Sequence, residues 1–260
     1  MTAIIYEPKG RAREYAPLAA NLYKGCPHRC RYCYVPRFRR ISPEQFHGDI
    51  GPRPRVLEGL EKDAPQYCED PRPVHLSFTC DAYQPIEAEH KLTRRALEIL
   101  GRNRVKCQVL TKGAALARRD FDLMEEYDVG FGVTLVFSRE KARQAWEPRA
   151  STIRERCEAL KEAKGRGIAT WVSVEPVVYP GQALEVIRRM HPWVDHFAVG
   201  PLNYMPEVAS RVNWPQFLCQ ALEVLEPTSS DYSIKDDLWK HADDATRARW
   251  PRQRHTEGGA

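Results

Sequence analysis

Cys26, Cys30 and Cys33 stand within eight residues of one another in the stretch Cys-Pro-His-Arg-Cys-Arg-Tyr-Cys-Tyr. Three thiols this close, in a chain of eight cysteines, are placed to hold one group together. A structural zinc ion takes four protein ligands, usually as two separated pairs. The next cysteine, Cys68, lies far downstream with no partner beside it, so a zinc knuckle would have to recruit His28, which reads as a solvated loop residue. A [4Fe–4S] cube is also held by thiolates, and with only three of them its fourth iron keeps positions open for a small ligand. The spacing fits that need; zinc with His28 is the alternative.

The elements that must position this loop alternate between strand and helix. Residues 18–23 are short, apolar and followed by Gly25, as a strand running into a loop should be. Strands are expected at 74–78, 105–110, 129–135, 168–174, 194–199 and 231–235. Helical spacing occupies 56–62, 91–100, 119–127 with Asp120 available as a cap, 151–164 ahead of Gly165 and Gly167, 182–190 and 214–225, with a further helix starting near Asp236. Sustained alternation implies a parallel sheet with crossover helices, open or closed into a barrel. Thr79-Cys80-Asp81, Thr111-Lys112, Thr134, Glu175-Pro176 and Gly200-Pro201 each follow a strand, and Lys235 follows the last. Strand C-terminal ends form the active face of a barrel, so the expected fold class is α/β, a partial or complete parallel (β/α) barrel. The expected domains are an N-terminal arm at 1–17, the barrel at 18–240 and a polar tail at 241–260, disordered beyond Arg252.

A chain of 260 residues with 42% hydrophobic composition buries a full-sized core. No apolar run reaches the length of a membrane span and the N-terminus lacks a basic-then-apolar signal, so a cytoplasmic protein with reduced thiols is expected. The five scattered cysteines, Cys68, Cys80, Cys107, Cys157 and Cys219, read mostly as small buried residues. Net charge is +5, and arginines crowd the first part of the chain, where Tyr32, Tyr34 and Phe38 are interleaved with them. Such a surface receives nucleic acid or another anion, or is a solvated face that favours an anionic cluster and its reductant.

The cysteine spacing, with an aromatic residue just before the third cysteine, resembles the signature of the radical S-adenosylmethionine (SAM) enzymes. Further stretches, Asn21-Leu22-Tyr23-Lys24-Gly25-Cys26, Asp81-Ala82-Tyr83-Gln84-Pro85-Ile86-Glu87, Leu92-Thr93-Arg94, Leu110-Thr111-Lys112 and Trp146-Glu147-Pro148-Arg149-Ala150, are similar to the spore photoproduct lyase-related branch. The resemblance implies a radical SAM barrel, with a [4Fe–4S] cluster on Cys26, Cys30 and Cys33 and SAM chelated to the open iron. One electron from a reductant such as a flavodoxin or ferredoxin would then cleave SAM to a 5′-deoxyadenosyl radical.

It also implies that Tyr32 contacts the adenine or ribose of SAM, that Lys112 meets its carboxylate, and that Thr134 offers a hydroxyl nearby; Lys112 as a surface lysine is the alternative. Glu175 points into the SAM or substrate cavity or caps the following loop. Glu147 and Arg149 are expected to pair with each other at the rim. Tyr34 matches a tyrosine thought to relay the radical in the lyase, or packs under the loop. The lyase's hydrogen-donor cysteine falls at Phe78 here, so photoproduct repair is not expected. Cys80, two residues on and on the same face if the chain stays extended, stands where the family has a small hydroxyl residue; it accepts from the SAM amino group or donates hydrogen to a product radical. The substrate is open, with nucleic acid or nucleotide set against a peptide or small metabolite; a zinc-stabilised nucleic-acid-binding protein without catalysis is the reading from another class.

Overall fold

In the computed structural model, which describes residues 3–251, the strands run as β1 (Leu18–Ala20), β2 (Val74–Leu76), β3 (Cys107–Thr111), β4 (Gly130–Thr134), β5 (Thr170–Val177), β6 (His196–Pro201) and β7 (Asp231–Ile234). All six neighbouring pairs are parallel and follow chain order. Among the described residues β1 and β7 do not pair, so the barrel is partial. Residues 18–23, expected as one strand, divide: β1 stops at Ala20, and Tyr23–Lys24 pairs instead with Gly51–Pro52 in a small antiparallel ribbon.

The outer face of the sheet is the core. Val109, Phe131, Val133, Val172, Val174, Phe197 and Val199 are fully buried there. Covering helices include Leu92–Arg102, which buries Leu92, Ala96, Leu97, Ile99 and Leu100, and Ile153–Gly165, which opens on a reciprocal Thr152/Glu155 cap. Helix Trp214–Leu225 is capped by the Asn213 side chain, with Pro215 in its first turn.

Strand alternation turns the other residues inward, and these include Gln108 on β3, Gly132 on β4, Trp171, Ser173 and Glu175 on β5, and Gly200 on β6. The glycines make room for neighbours on the adjoining strand. A Cβ on Gly132 would lie 2.2 Å from the Trp171 ring, and one on Gly200 2.6 Å from the Glu175 carboxyl carbon. Gly132→Ala is therefore expected to cost about 1–3 kcal/mol through overpacking against backbone-anchored indole, measurable as a lowered midpoint in urea unfolding.

Residues of the expected arm do more than lead into β1. Tyr6 bridges Ala19 in antiparallel fashion, Arg11 pairs with Asp237 and donates to the Tyr204 hydroxyl at 2.7 Å, and the Glu14 carboxylate accepts from Asp236 N at 2.8 Å. This segment thus crosses the gap between the β1 edge and the turn after β7. The expected tail also differs: Asp244–Arg249 is a helix capped by Asp243, and Trp250 is buried in the core cluster. The disorder expected beyond Arg252 falls outside the described residues. Of the five scattered cysteines only Cys107 is buried, and Cys68 is exposed. No helix among the described residues is long and apolar enough to cross a membrane.

Candidate active site

The cysteine loop leaves the small ribbon at Gly25, whose φ of +65° and close approach to Asp49 O exclude a side chain. It is then strapped on both sides. His47 Nδ1 bonds Cys26 O at 2.7 Å, while on the other side Arg31 N donates to Trp146 O at 2.8 Å and Arg149 N to His28 O at 3.3 Å. Cys26, Cys30 and Cys33 are all free and partly exposed, and Cys30 and Cys33 line a cavity of about 420 Å³. Burial pushes the Cys30 thiol up to about 12 and raises Cys26 and Cys33, with the Lys112 ammonium opposing the rise at Cys30 and Cys33.

His28 is not solvated. It is 3% exposed, with Nδ1 3.4 Å from Asp81 Oδ2. Asp81 also accepts from Thr111 Oγ1 at 2.5 Å, Lys112 N at 2.7 Å and Tyr83 N at 2.9 Å. Burial alone would raise this carboxyl, but His28 and these donors hold it well below the usual range. Asp81 thereby ties the cysteine loop to the end of β3 and aims Lys112 across the mouth.

Lys112 Nζ donates to Thr134 Oγ1 at 3.2 Å and sits 5.7 Å from the Tyr32 ring centre. Tyr32 lies nearly parallel to Trp146 and donates its hydroxyl to Glu147. The structure thus gathers Cys30, Cys33, Tyr32, Lys112 and Thr134 at one place. Glu147 pairs there with Arg156, at 2.5 Å and with both side chains fully buried, and not with the exposed Arg149. Arg156 also donates to Thr134 O at 2.8 Å and Ser151 O at 3.0 Å, so it fixes the end of β4. Sequence reasoning missed it, although it falls in line with Leu160 and Ala163 on the buried stripe of its helix, an unusual place for a charge.

The other candidates lie further in. Tyr34 donates to Phe78 O at 2.7 Å and leaves its ring 39% exposed. The extended chain assumed for Phe78 and Cys80 is absent, because β2 stops at Leu76 and a bend follows. Cys80 is partly buried, beside the Tyr23 backbone and the Ser77 side chain. Glu175 takes a hydrogen bond from Tyr15 and does not cap a loop; burial raises its carboxyl against the pull of Lys235.

The Asp81–Glu87 and Leu92-Thr93-Arg94 stretches serve the frame. Glu87, fully buried, accepts from Tyr23 and from Thr93 N at 2.9 Å and pairs with Arg119 at 2.6 Å. Asp120 does not cap its helix; it pairs with Arg94 and Arg119.

The family model of the radical SAM superfamily matches residues 20–194, from the end of β1 through β5 and its following helix. The chain belongs to the radical SAM superfamily. Members of the radical SAM superfamily use a [4Fe–4S] cluster and SAM and need a reductant. Among solved structures, spore photoproduct lyase complexed with dinucleoside spore photoproduct is similar at a TM-score of 0.61 and 16% identity, over 86% of this chain and 65% of that one. SuiB of Streptococcus suis bound to S-adenosylmethionine is similar at 0.63 and 9%, over 86% and 51%. At such identities these show the fold of a radical SAM enzyme.

Two uncharacterized proteins are similar in sequence. MJ0683 of Methanocaldococcus jannaschii is 29% identical over 164 residues, 63% of this chain and 61% of that protein. ORF301 of Acidianus two-tailed virus is 29% identical over 180 residues, 65% and 59%. The matched regions thus span about three fifths of these relatives.

The residues present fit the superfamily's cofactors by donor chemistry: three free thiols on one loop, two of them lining a cavity, beside a lysine that strand ends hold in place. Among the described residues no three His, Cys, Asp or Glu side chains stand in the tight geometry of a single-ion site. A cube takes one thiolate at each of three separate irons and needs no such convergence.

Proposed function

We propose that this radical SAM enzyme holds its cluster through Cys26, Cys30 and Cys33 and acts on a nucleic acid or nucleotide. One observation carries the substrate class. Arg29, Arg31, Arg37, Arg39 and Arg40 are all exposed and none forms an ion pair among the described residues, whereas most other arginines of the chain have a carboxylate partner. Three of the four large exposed aromatic residues share this face: Phe38 at 72%, Tyr204 at 49% and Tyr34 at 39%. Arg29, Arg31, Arg37, Tyr34 and Tyr204 line the cavity that Cys30 and Cys33 also line. Arginines without a carboxylate bind phosphates, here with Arg31 over Trp146 and Arg37 over Tyr204, and exposed rings such as Phe38 stack on bases; an acidic protein partner needs the first and not the second.

When bound and reduced, cluster and SAM together supply a 5′-deoxyadenosyl radical that abstracts hydrogen from substrate. The chain's own residues orient and enclose. The Lys112 ammonium, steered by Asp81 and Thr134, is the partner for the SAM carboxylate, a point charge on a stem that adapts to a chelating group. Tyr32, pinned by Glu147 and Trp146, presents a rigid ring as one wall for the adenine or ribose. Cys80, Thr134 and Glu175 complete the mouth as further SAM contacts, and Tyr34 stands between Cys33 and the interior as a residue that touches substrate. A flavodoxin or ferredoxin is the class of electron donor we assign. His28, the fourth ligand a zinc knuckle requires, is turned to Asp81, which disfavours that reading.

The chemistry is tested by anaerobic reconstitution with iron and sulfide, reduction with dithionite in the presence of SAM, and chromatography for 5′-deoxyadenosine. The substrate class is tested by single-stranded oligonucleotide binding across a salt series. Replacing Arg37, Arg39 and Arg40 together with Ala is expected to weaken binding and to reduce the salt slope by about 2, at ~0.7 per charge on a single strand. Affinity and slope unchanged in that variant would assign the substrate to the peptide or small-metabolite class.

A further inference from the structure

Deep to the mouth, three nitrogen donors meet no acceptor. Gln108 Nε2 bonds Tyr15 O at 3.0 Å and His75 Nδ1 at 3.3 Å. An amide nitrogen only donates, so Nδ1 accepts and the His75 proton sits on Nε2. Burial, with Lys235 nearby, holds this histidine down to about 3, hence neutral. The His75 Nε2, the indole Nε1 of Trp171 and the ammonium of Lys235 are then all donors. Each is buried without a hydrogen-bond partner in the structure, on side chains 0%, 8% and 4% exposed.

All three surround one ring. The His75 and Trp171 rings lie 6.2 and 6.1 Å from that of Tyr15 and 5.9 Å from each other, and Lys235 Nζ lies 3.3 Å from the Tyr15 ring centre. Of the acceptors at hand, Ser173 and one Glu175 oxygen bond the Tyr15 hydroxyl, and the Glu175 and Glu14 carboxylates act on Lys235 only through space. Buried donors left unmatched are costly and rare, and a group of them with no acceptor describes the complement of an oxygen-rich ligand.

We propose that this chamber binds an anionic oxygen group of the substrate, a phosphate or a carboxylate, through Lys235 with the N–H groups of His75 and Trp171. The proposal rests on the reading that the barrel mouth receives the substrate, and it assigns the group that goes in deepest. Tyr15 lies over the three donors and is the residue that must swing aside. It is carried by the N-terminal segment, whose polar links across the gap include Arg11 to Asp237 and to the Tyr204 hydroxyl, and Glu14 to Asp236 N. Glu175, whose carboxyl is raised by burial, gives up its hydrogen bond from Tyr15 as that ring moves, and the incoming anion takes its place beside Lys235.

The test is calorimetric titration of the full chain, as isolated and after reconstitution, with inorganic phosphate and separately with acetate at constant ionic strength. Saturable binding of either anion is expected, weakened at least tenfold in Lys235→Met and in His75→Leu and tightened in Tyr15→Ala. Phosphate as the tighter ligand assigns the group to a nucleotide, acetate to a carboxylate-bearing substrate. Lys235→Met exchanges a buried charge for an apolar chain of similar length, so it is expected to fold. Absence of saturable binding by both anions, or Lys235→Met binding as tightly as the parent, overturns the proposal. None of these readouts needs SAM or radical chemistry, so failure here leaves the cluster assignment standing, and loss of deoxyadenosine formation leaves the chamber standing.

Discussion

A chain carrying Cys30→Ala is expected to form no stable cluster and to release no 5′-deoxyadenosine on reduction with SAM, and Cys26→Ala and Cys33→Ala are expected to behave alike. Cys157→Ala, on the far helix, is the control that keeps full activity. The three thiols act as one unit, because a cube left with two thiolates exposes a second iron to water and is lost. The structure adds a requirement. Burial raises all three thiols, Cys26 well above its ordinary value and Cys30 up to about 12, so loading must displace a proton from each and its yield is expected to rise with pH. Iron and sulfide content read with the deoxyadenosine yield checks both points. Full product from all three variants, or stoichiometric zinc with no cluster in the parent, would remove the central assignment.

Arg156→Met is expected to destabilise the fold by about 3–5 kcal/mol, the cost of leaving a buried charge without its partner. Glu147 would then stand fully buried with only the Tyr32 hydroxyl, and Thr134 O and Ser151 O would lose their donors. Glu147→Gln spares the Tyr32 contact and strands the guanidinium, so a loss of similar size is expected. The double variant Arg156→Met/Glu147→Gln should recover much of it, since the two costs share one origin.

The sign with pH follows from Glu147. Burial pushes its carboxyl up, but Arg156 and Lys112 outweigh this and hold it below the ordinary value. Its contribution is fully present above the usual glutamate range and is lost as pH falls through the depressed value. In Arg156→Met only Lys112 and the Tyr32 hydroxyl still oppose the burial effect, and the variant is expected to lose less stability than the parent on acidification. Urea midpoints at pH 7 and pH 4 for the four chains check the magnitude and the sign; additive losses in the double variant would show that the pair is not a unit.

Legibility in the sequence followed the range of the interaction. The strand ends that bear Lys112, Thr134, Glu175 and Lys235 were readable because alternation is local, and helix 214–225 was bounded correctly because its cap and its apolar stripe lie within it. Pairings were not readable in the same way. Glu147 was matched to Arg149, two residues off, because nothing local announces that a helix nine residues on turns Arg156 back to it. His28 was taken as solvated for the same reason: its partner, Asp81, arrives from the next strand's loop. Asp120 looked like a cap and instead serves Arg94 and Arg119. Tyr15 carried a signal that went unused, a large aromatic residue immediately before the buried run Ala16 to Leu22, where a solvated arm would more often be polar.

The bridge across the open side of the barrel sets an order of assembly. Arg11 and Glu14 find their partners 226 and 222 residues later, at Asp237 and Asp236. During synthesis the strands and helices from β1 to β6 can pack as they emerge, and the opening segment can already bridge Ala19 and meet Asp63, but its links across the gap wait for β7 and the turn after it. The far side of the gap is thus closed after the rest of the sheet has formed, and Lys235 reaches the Tyr15 ring only then.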